Sequence, residues 1–187
     1  ERVLKRRVGR NIRCRGVEIK NEMRNKAIKG LLAGVLVLFS VSCTHTEILA
    51  DYSEYQSTLV FLEAKSMEVE TLDIINQHRS SLGLVKLKYM SLIRAVAHSH
   101  NLNMIEIHQI SHNGFDLRSG YLKSKTCALN VSENVSYGYS SAHTMVKAWL
   151  NSPAHKETIE GNSTHFDISI DSGSLGGKYA TNIFIKK

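Results

Sequence analysis

KAWLNSPAHKETIEG, residues 147–161, holds the single proline of a 187-residue chain, Pro153. Helix formers precede it (Met145, Val146, Ala148, Trp149, Leu150), and Lys156, Glu157, Thr158 and Ile159 follow. Proline inside a helix costs ~3 kcal/mol, whereas the first helical turn accepts it because that N–H has no intrahelical partner. The stretch therefore predicts one helix over about Ser141–Asn151 and a second, short helix, with Ser152 as its cap and Pro153 at its first position. The break swings His155 out of line with the Trp149 helix and into the first turn of the next. Alone, this reads equally well as a simple kink bearing a solvated histidine.

Toward the C-terminus, HFDISIDSG and GKYATNIFIKK flank the turn-forming SGSLGG and alternate apolar with polar residues, which predicts a β-hairpin. Toward the N-terminus, SMEVETLDIINQHRSSLG carries Met67, Val69, Leu72, Ile74 and Ile75 at helical spacing. Ser66 stands before them as a cap and Gly83 after them as a stop. A further helix is expected from about Ser91 to His108, with Leu92, Val96, Ala97 and Met104 on its apolar face. GFDLRSGYLKSKT reads as a loop or short helical turn, and ALNVSENVSYGY mixes strand formers with turn residues. Helices first and a closing hairpin predict an α+β fold, with helices packed on an antiparallel sheet.

The net charge of +7 is misleading, because residues 1–30 hold 11 Lys/Arg against 3 Asp/Glu. The remainder has 13 basic and 14 acidic residues (24 − 11 and 17 − 3), a net of −1. Such a body carries no basic field to attract nucleic acid. No internal repeat is visible, and a monomer is expected.

The first third of the chain reads as an address. Arg24, Lys26 and Lys29 precede the apolar run Leu31–Val41, and small residues close it, which is the order of a secretory signal over residues 23–42. As a helix, that run spans roughly 17 Å, too short for the ~30 Å hydrocarbon core. FSVSC, ending at Cys43, is similar to a bacterial lipobox, although Ser40 stands where Leu is usual. Cys43 is therefore the expected lipidation site, and residues 43–66 the tether; two acyl chains anchor stably where one is marginal. Residues 1–22 precede Met23 and are expected to be upstream sequence or a basic extension outside the fold. The expected product is an exported, membrane-anchored lipoprotein of the cell envelope whose domain occupies residues 67–187. With Cys43 consumed by lipid, Cys127 is expected to be a buried free thiol in a domain without a disulfide.

Six pieces in order, INQHRSSLGLVKL, AVAHSHNLNM, ISH, SENVSYGY, AWLNSPAH and YATNIF, resemble the bacterial branch of the CAP superfamily (cysteine-rich secretory proteins, antigens and pathogenesis-related proteins). The likeness runs from about Leu72 to Phe184, over half the chain. It implies a three-layer α-β-α sandwich and a shallow cleft lined by two histidines and two acidic residues, which in some members holds a divalent metal. Carried over by position, the histidines are His112 and His155 and the first acid is Glu133. The second acid falls on Ser152, leaving at most a His-His-Glu set.

Two imidazoles and a carboxylate are the donor types of a Zn²⁺ site with water at the fourth position. The bland alternative makes them scaffold, with Glu133 bonded to backbone and the histidines bracing loops. Asn134 beside Glu133 is expected to tie its loop to the sheet through its amide. His78 and His100 read as structural, and a joint His108–His112 chelate is disfavoured because Asn113-Gly114 breaks the helix between elements. No nucleophile–base pair stands out and no reaction is assigned. Three readings follow: a binding module for a small ligand, metal ion or envelope component; a metal-dependent envelope hydrolase; and a lipid- or sterol-binding protein. The incomplete acid set favours the first.

Overall fold

A computed structural model describes residues 64–187. The leader, the Cys43 site and most of the tether lie outside the described residues. No helix among the described residues is long and apolar enough to cross a membrane.

Helix α1 (Ser66–Ser81) buries Leu72 and Ile75, as its spacing predicts, while Val69 stays largely exposed. Its N-cap is Lys65 rather than Ser66, and Glu68 fixes that end. One Glu68 oxygen accepts from the Lys65 backbone N–H at 2.8 Å, the other from that of Ile170, also at 2.8 Å. Strand β1 (Lys88–Tyr89) is only two residues long. Helix α2 (Ser91–Glu106) ends short of His108. Helix α3 (Phe115–Thr126) covers the stretch expected to be a loop or short helical turn, and at 12 residues it is longer than such a turn. Strand β2 (Asn130–Tyr137) follows, and then helices α4 (Ala142–Asn151) and α5 (Pro153–Glu160) divide at the proline. Ser152 occupies the cap position of α5, but its hydroxyl makes no capping hydrogen bond. Strands β3 (His165–Ser172) and β4 (Lys178–Lys186) form the expected hairpin.

The sheet order is β1-β3-β4-β2. β4 pairs antiparallel with β3 and β2, but β1 joins β3 in parallel, so the sheet is mixed rather than antiparallel throughout. The difference arises from a pairing of just two residues, Lys88–His165 and Tyr89–Phe166, which a two-residue run cannot announce in sequence.

Helices cover both faces, giving the three-layer α-β-α sandwich. On one face, Phe166, Ile168, Ile170, Ala180 and Phe184 pack against Leu72 and Ile75 of α1, Met145, Val146 and Trp149 of α4, and Ile159 of α5. On the other, Val131, Ile183 and Ile185 meet Ile93, Val96 and Ala97 of α2 and Leu122 of α3. Alternation along β4 produces both cores, since successive side chains point to opposite faces. Cys127, expected to be a free thiol, is disulfide-bonded, and its partner lies outside the described residues.

Candidate functional site

β2 is an edge strand, so side chains from both helical layers can meet around it. Adjacent residues on it point to opposite faces, and Glu133 and Asn134 exploit that arrangement. Glu133 turns toward α2 and α3, Asn134 toward α4 and α5.

The Glu133 side chain is almost fully buried, and charged and polar partners hold its carboxylate. Arg118 of α3 grips it with two prongs, Nε to Oε2 at 3.0 Å and Nη2 to Oε1 at 2.8 Å. His112 lies 2.9 Å from Oε1 through Nδ1. A carboxylate held by a guanidinium only accepts hydrogen bonds, so His112 donates its Nδ1–H to Glu133. The ring is about half exposed, at 52%.

Arg118 also donates through Nη1 to the Asn113 carbonyl at 2.7 Å, holding the segment that carries His112. Gly114 begins α3 at φ +71°, a backbone conformation that side chains disfavour, so the sharp entry of that segment is built on glycine. His100, buried on α2, donates Nε2–H to the Ser111 carbonyl at 2.8 Å and braces the same segment from below. Burial first, and then the Arg118 charge, lower the His100 pKa and keep the ring neutral.

On the opposite face, Asn134 donates its amide to the His155 carbonyl at 3.0 Å. The expected tie of its loop to the sheet takes another form: Asn134 stands in β2 itself, and its amide instead ties the strand to the first turn of α5. His155 itself is half-buried; burial, and secondarily the charge of His112, lower its pKa. Ser152 is also half-buried, at the junction of α4 and α5.

A three-ligand metal site does not fit this arrangement. Both Glu133 oxygens are engaged by Arg118, and freeing either would strand a buried guanidinium. Among the described residues no three His, Cys, Asp or Glu side chains group as metal ligands. What remains open is the half-exposed ring of His112, oriented by its carboxylate. His78 pairs with Glu160 at 2.8 Å, a brace between α1 and α5. His108 lies in the segment after α2 at φ +51° and lines a separate cavity.

Sequence reasoning missed Arg118. It lies in the stretch read as loop, 15 residues before Glu133, and only the helix brings it under the strand. A buried carboxylate demands a partner, and that demand is the one signal that would have prompted a search for a cation.

Comparisons with known proteins agree with this architecture. Residues 72–183 match the model of the cysteine-rich secretory protein family, CAP. The uncharacterised membrane protein YlbC of Bacillus subtilis is 31% identical over 126 residues, 64% of this chain. The chain spans about a third of that relative's length, 34%. An outer surface protein of Borrelia burgdorferi superposes with a TM-score of 0.60 at 21% identity, covering 67% of this chain and 96% of that one. An extracellular SCP-domain protein of Bacillus anthracis gives 0.56 at 23% identity, covering 64% of this chain and 40% of its own. A cysteine-rich secretory protein of Staphylococcus aureus gives 0.52 at 23%, covering 67% and 41%. These three share the fold. With the family model covering more than half of its length, the chain belongs to the CAP family.

Proposed function

We propose that the chain is an exported CAP module that binds a small polar ligand at His112 and His155 without turning it over. One observation carries this reading: Glu133, the only acid of the set, is fully occupied by Arg118 and His112, so no carboxylate is free to act on a substrate. What the site presents outward is the half-exposed ring of His112, held in place by its Nδ1–H bond to Glu133, which suits hydrogen bonding to a polar ligand. The signal-like sequence pattern of residues 23–42 supports export, as does the likeness to an outer surface protein of Borrelia burgdorferi and an extracellular protein of Bacillus anthracis.

The test is imidazole NMR of the purified domain with two probes added separately, Zn²⁺ and soluble cell-wall muropeptides. The proposal expects muropeptide-induced shifts confined to His112 and His155, loss of those shifts in His112→Ala, and no cleaved product. Stoichiometric, tight Zn²⁺ uptake or muropeptide cleavage would replace it with the metal-dependent hydrolase.

Lipid anchoring at Cys43 is a separate proposal with a sharp test. The intact mass of the membrane-extracted protein decides: an acylated N-terminal Cys43 supports the anchor, and a mature chain that retains residues before Cys43 or carries no lipid on it defeats it.

A further inference from the structure

A second concave site lies away from His112, Glu133 and His155, where the ends of β2 and β4 meet the β3–β4 turn. Its volume is about 300 Å³, at the small end of the ~300–1,000 Å³ range of ligand sites. Tyr137 and Tyr179 are register partners on β2 and β4, with ring centroids 4.6 Å apart at 51°. Tyr179 is buried, whereas Tyr137 is 46% exposed and offers its ring to solvent.

The turn is shaped around that ring. A Cβ on Gly177 would lie 2.2 Å from the Tyr137 hydroxyl oxygen and 2.5 Å from ring carbons, so only glycine lets the ring lie across this turn. Gly173 bonds back to the Gly177 carbonyl at 2.8 Å and closes the turn. Ile110 and Leu175, both exposed, add apolar surface, while His108, Gln109 and Ser174 supply polar groups. Among the described residues, no Lys, Arg, Asp or Glu lines the cavity.

We propose that this cavity binds one sugar ring of a neutral glycan, stacked on Tyr137. A pyranose has one apolar face of C–H groups and a rim of hydroxyls. It therefore matches an exposed tyrosine face surrounded by uncharged donors and acceptors. A charged ligand would find no counter-ion here, and a long acyl chain would outrun the volume. The proposal stands apart from ligand binding at His112, and either can fail alone.

The probes are chitotriose, maltotriose and cellotriose, added to the ¹⁵N-labelled domain. Binding of at least one should shift the amides of Gly173, Gly177 and Tyr137 and leave His112 unmoved. Tyr137→Ala should weaken that binding roughly tenfold or more, while Tyr137→Phe, which keeps the ring, should retain most of it. Gly177→Ala, which pushes the ring out of place, should behave like Tyr137→Ala. The idea is overturned if no trisaccharide shifts these amides at millimolar concentration, or if the shifts survive in Tyr137→Ala. It also fails if Tyr137→Phe abolishes them, because the hydroxyl rather than the ring would then be the contact.

Discussion

The two faces of the central sheet solve different problems. The face under α1, α4 and α5 is dominated by apolar contacts: Trp149, Phe166 and Phe184 are 2% exposed or less, among aliphatic neighbours. The face under α2 and α3 carries buried charge. There, Asp167 meets Arg94 at 3.0 Å, Asn101 bonds Asp171 at 2.8 Å, and Glu133 meets Arg118. Shape-filling contacts give the first face its stability. The second spends burial on directed hydrogen bonds, which position His112 but tolerate the loss of a partner poorly. The His112–Glu133–Arg118 contacts thus lie on the α2 and α3 side of the sheet, while Asn134 and His155 stand on the other.

The largest expected effect tests the apolar face. Trp149→Ala removes a ring that fills the core and an Nε1–H donated to the Val135 carbonyl at 3.2 Å. Loss of about 3–5 kcal/mol is expected by chemical denaturation. His112 should keep its contact with Glu133 in whatever fraction stays folded, because the two lie on the other face. Disturbance of the His112 signals before global unfolding would break the division.

Arg118→Met tests the polar face and should cost about 3 kcal/mol, since it leaves Glu133 buried and unpaired. The double variant Arg118→Met/Glu133→Leu should recover most of that loss, because well-packed apolar pairs commonly replace buried ion pairs at little cost. It should also release the His112 ring, seen as a change in its tautomer by ¹⁵N NMR. If the double variant is no more stable than Arg118→Met alone, the pair contributes through packing, and the contrast between the faces is weaker than drawn.

The same division explains what the sequence disclosed. Apolar alternation in β3 and β4, helical spacing in α1 and α2, and the proline between α4 and α5 all report burial, and the apolar face was legible from them. α3 was not. FDLRSGYLKSKT has few apolar residues and an internal Gly120, so local propensity argues for a loop; its helix is held by Leu122 in the core and Arg118 on Glu133. The site was half legible. The family resemblance named His112, Glu133 and His155 as cleft residues, but a ligand set cannot show which donors are already taken. The guanidinium that occupies Glu133 is a long-range contact without a local pattern.

The smallest expected effect is a shallow pH dependence in which histidines and one buried acid oppose each other. Burial lowers the pKa of His100, of His155 and of His165, so each stays neutral in the fold while the unfolded chain takes up protons near pH 6.5. Stability from these groups is therefore lost as pH falls below about 6.5. Asp167 acts in the opposite direction. Burial outweighs the Arg94 guanidinium and pushes its pKa up to about 6, so the folded state holds that proton more tightly. Its contribution is complete at low pH and is lost as pH rises through about 6. Between pH 7 and 6 the histidines should dominate and the thermal midpoint should drop slightly; below 6, protonation of Asp167 should level the curve. Asp167→Asn removes the counterweight, so its midpoint should keep falling where the wild type flattens. Superimposable profiles would mean that Asp167 stays ionised beside Arg94 throughout, and the polar face would then contain a permanent ion pair where a titrating one is expected.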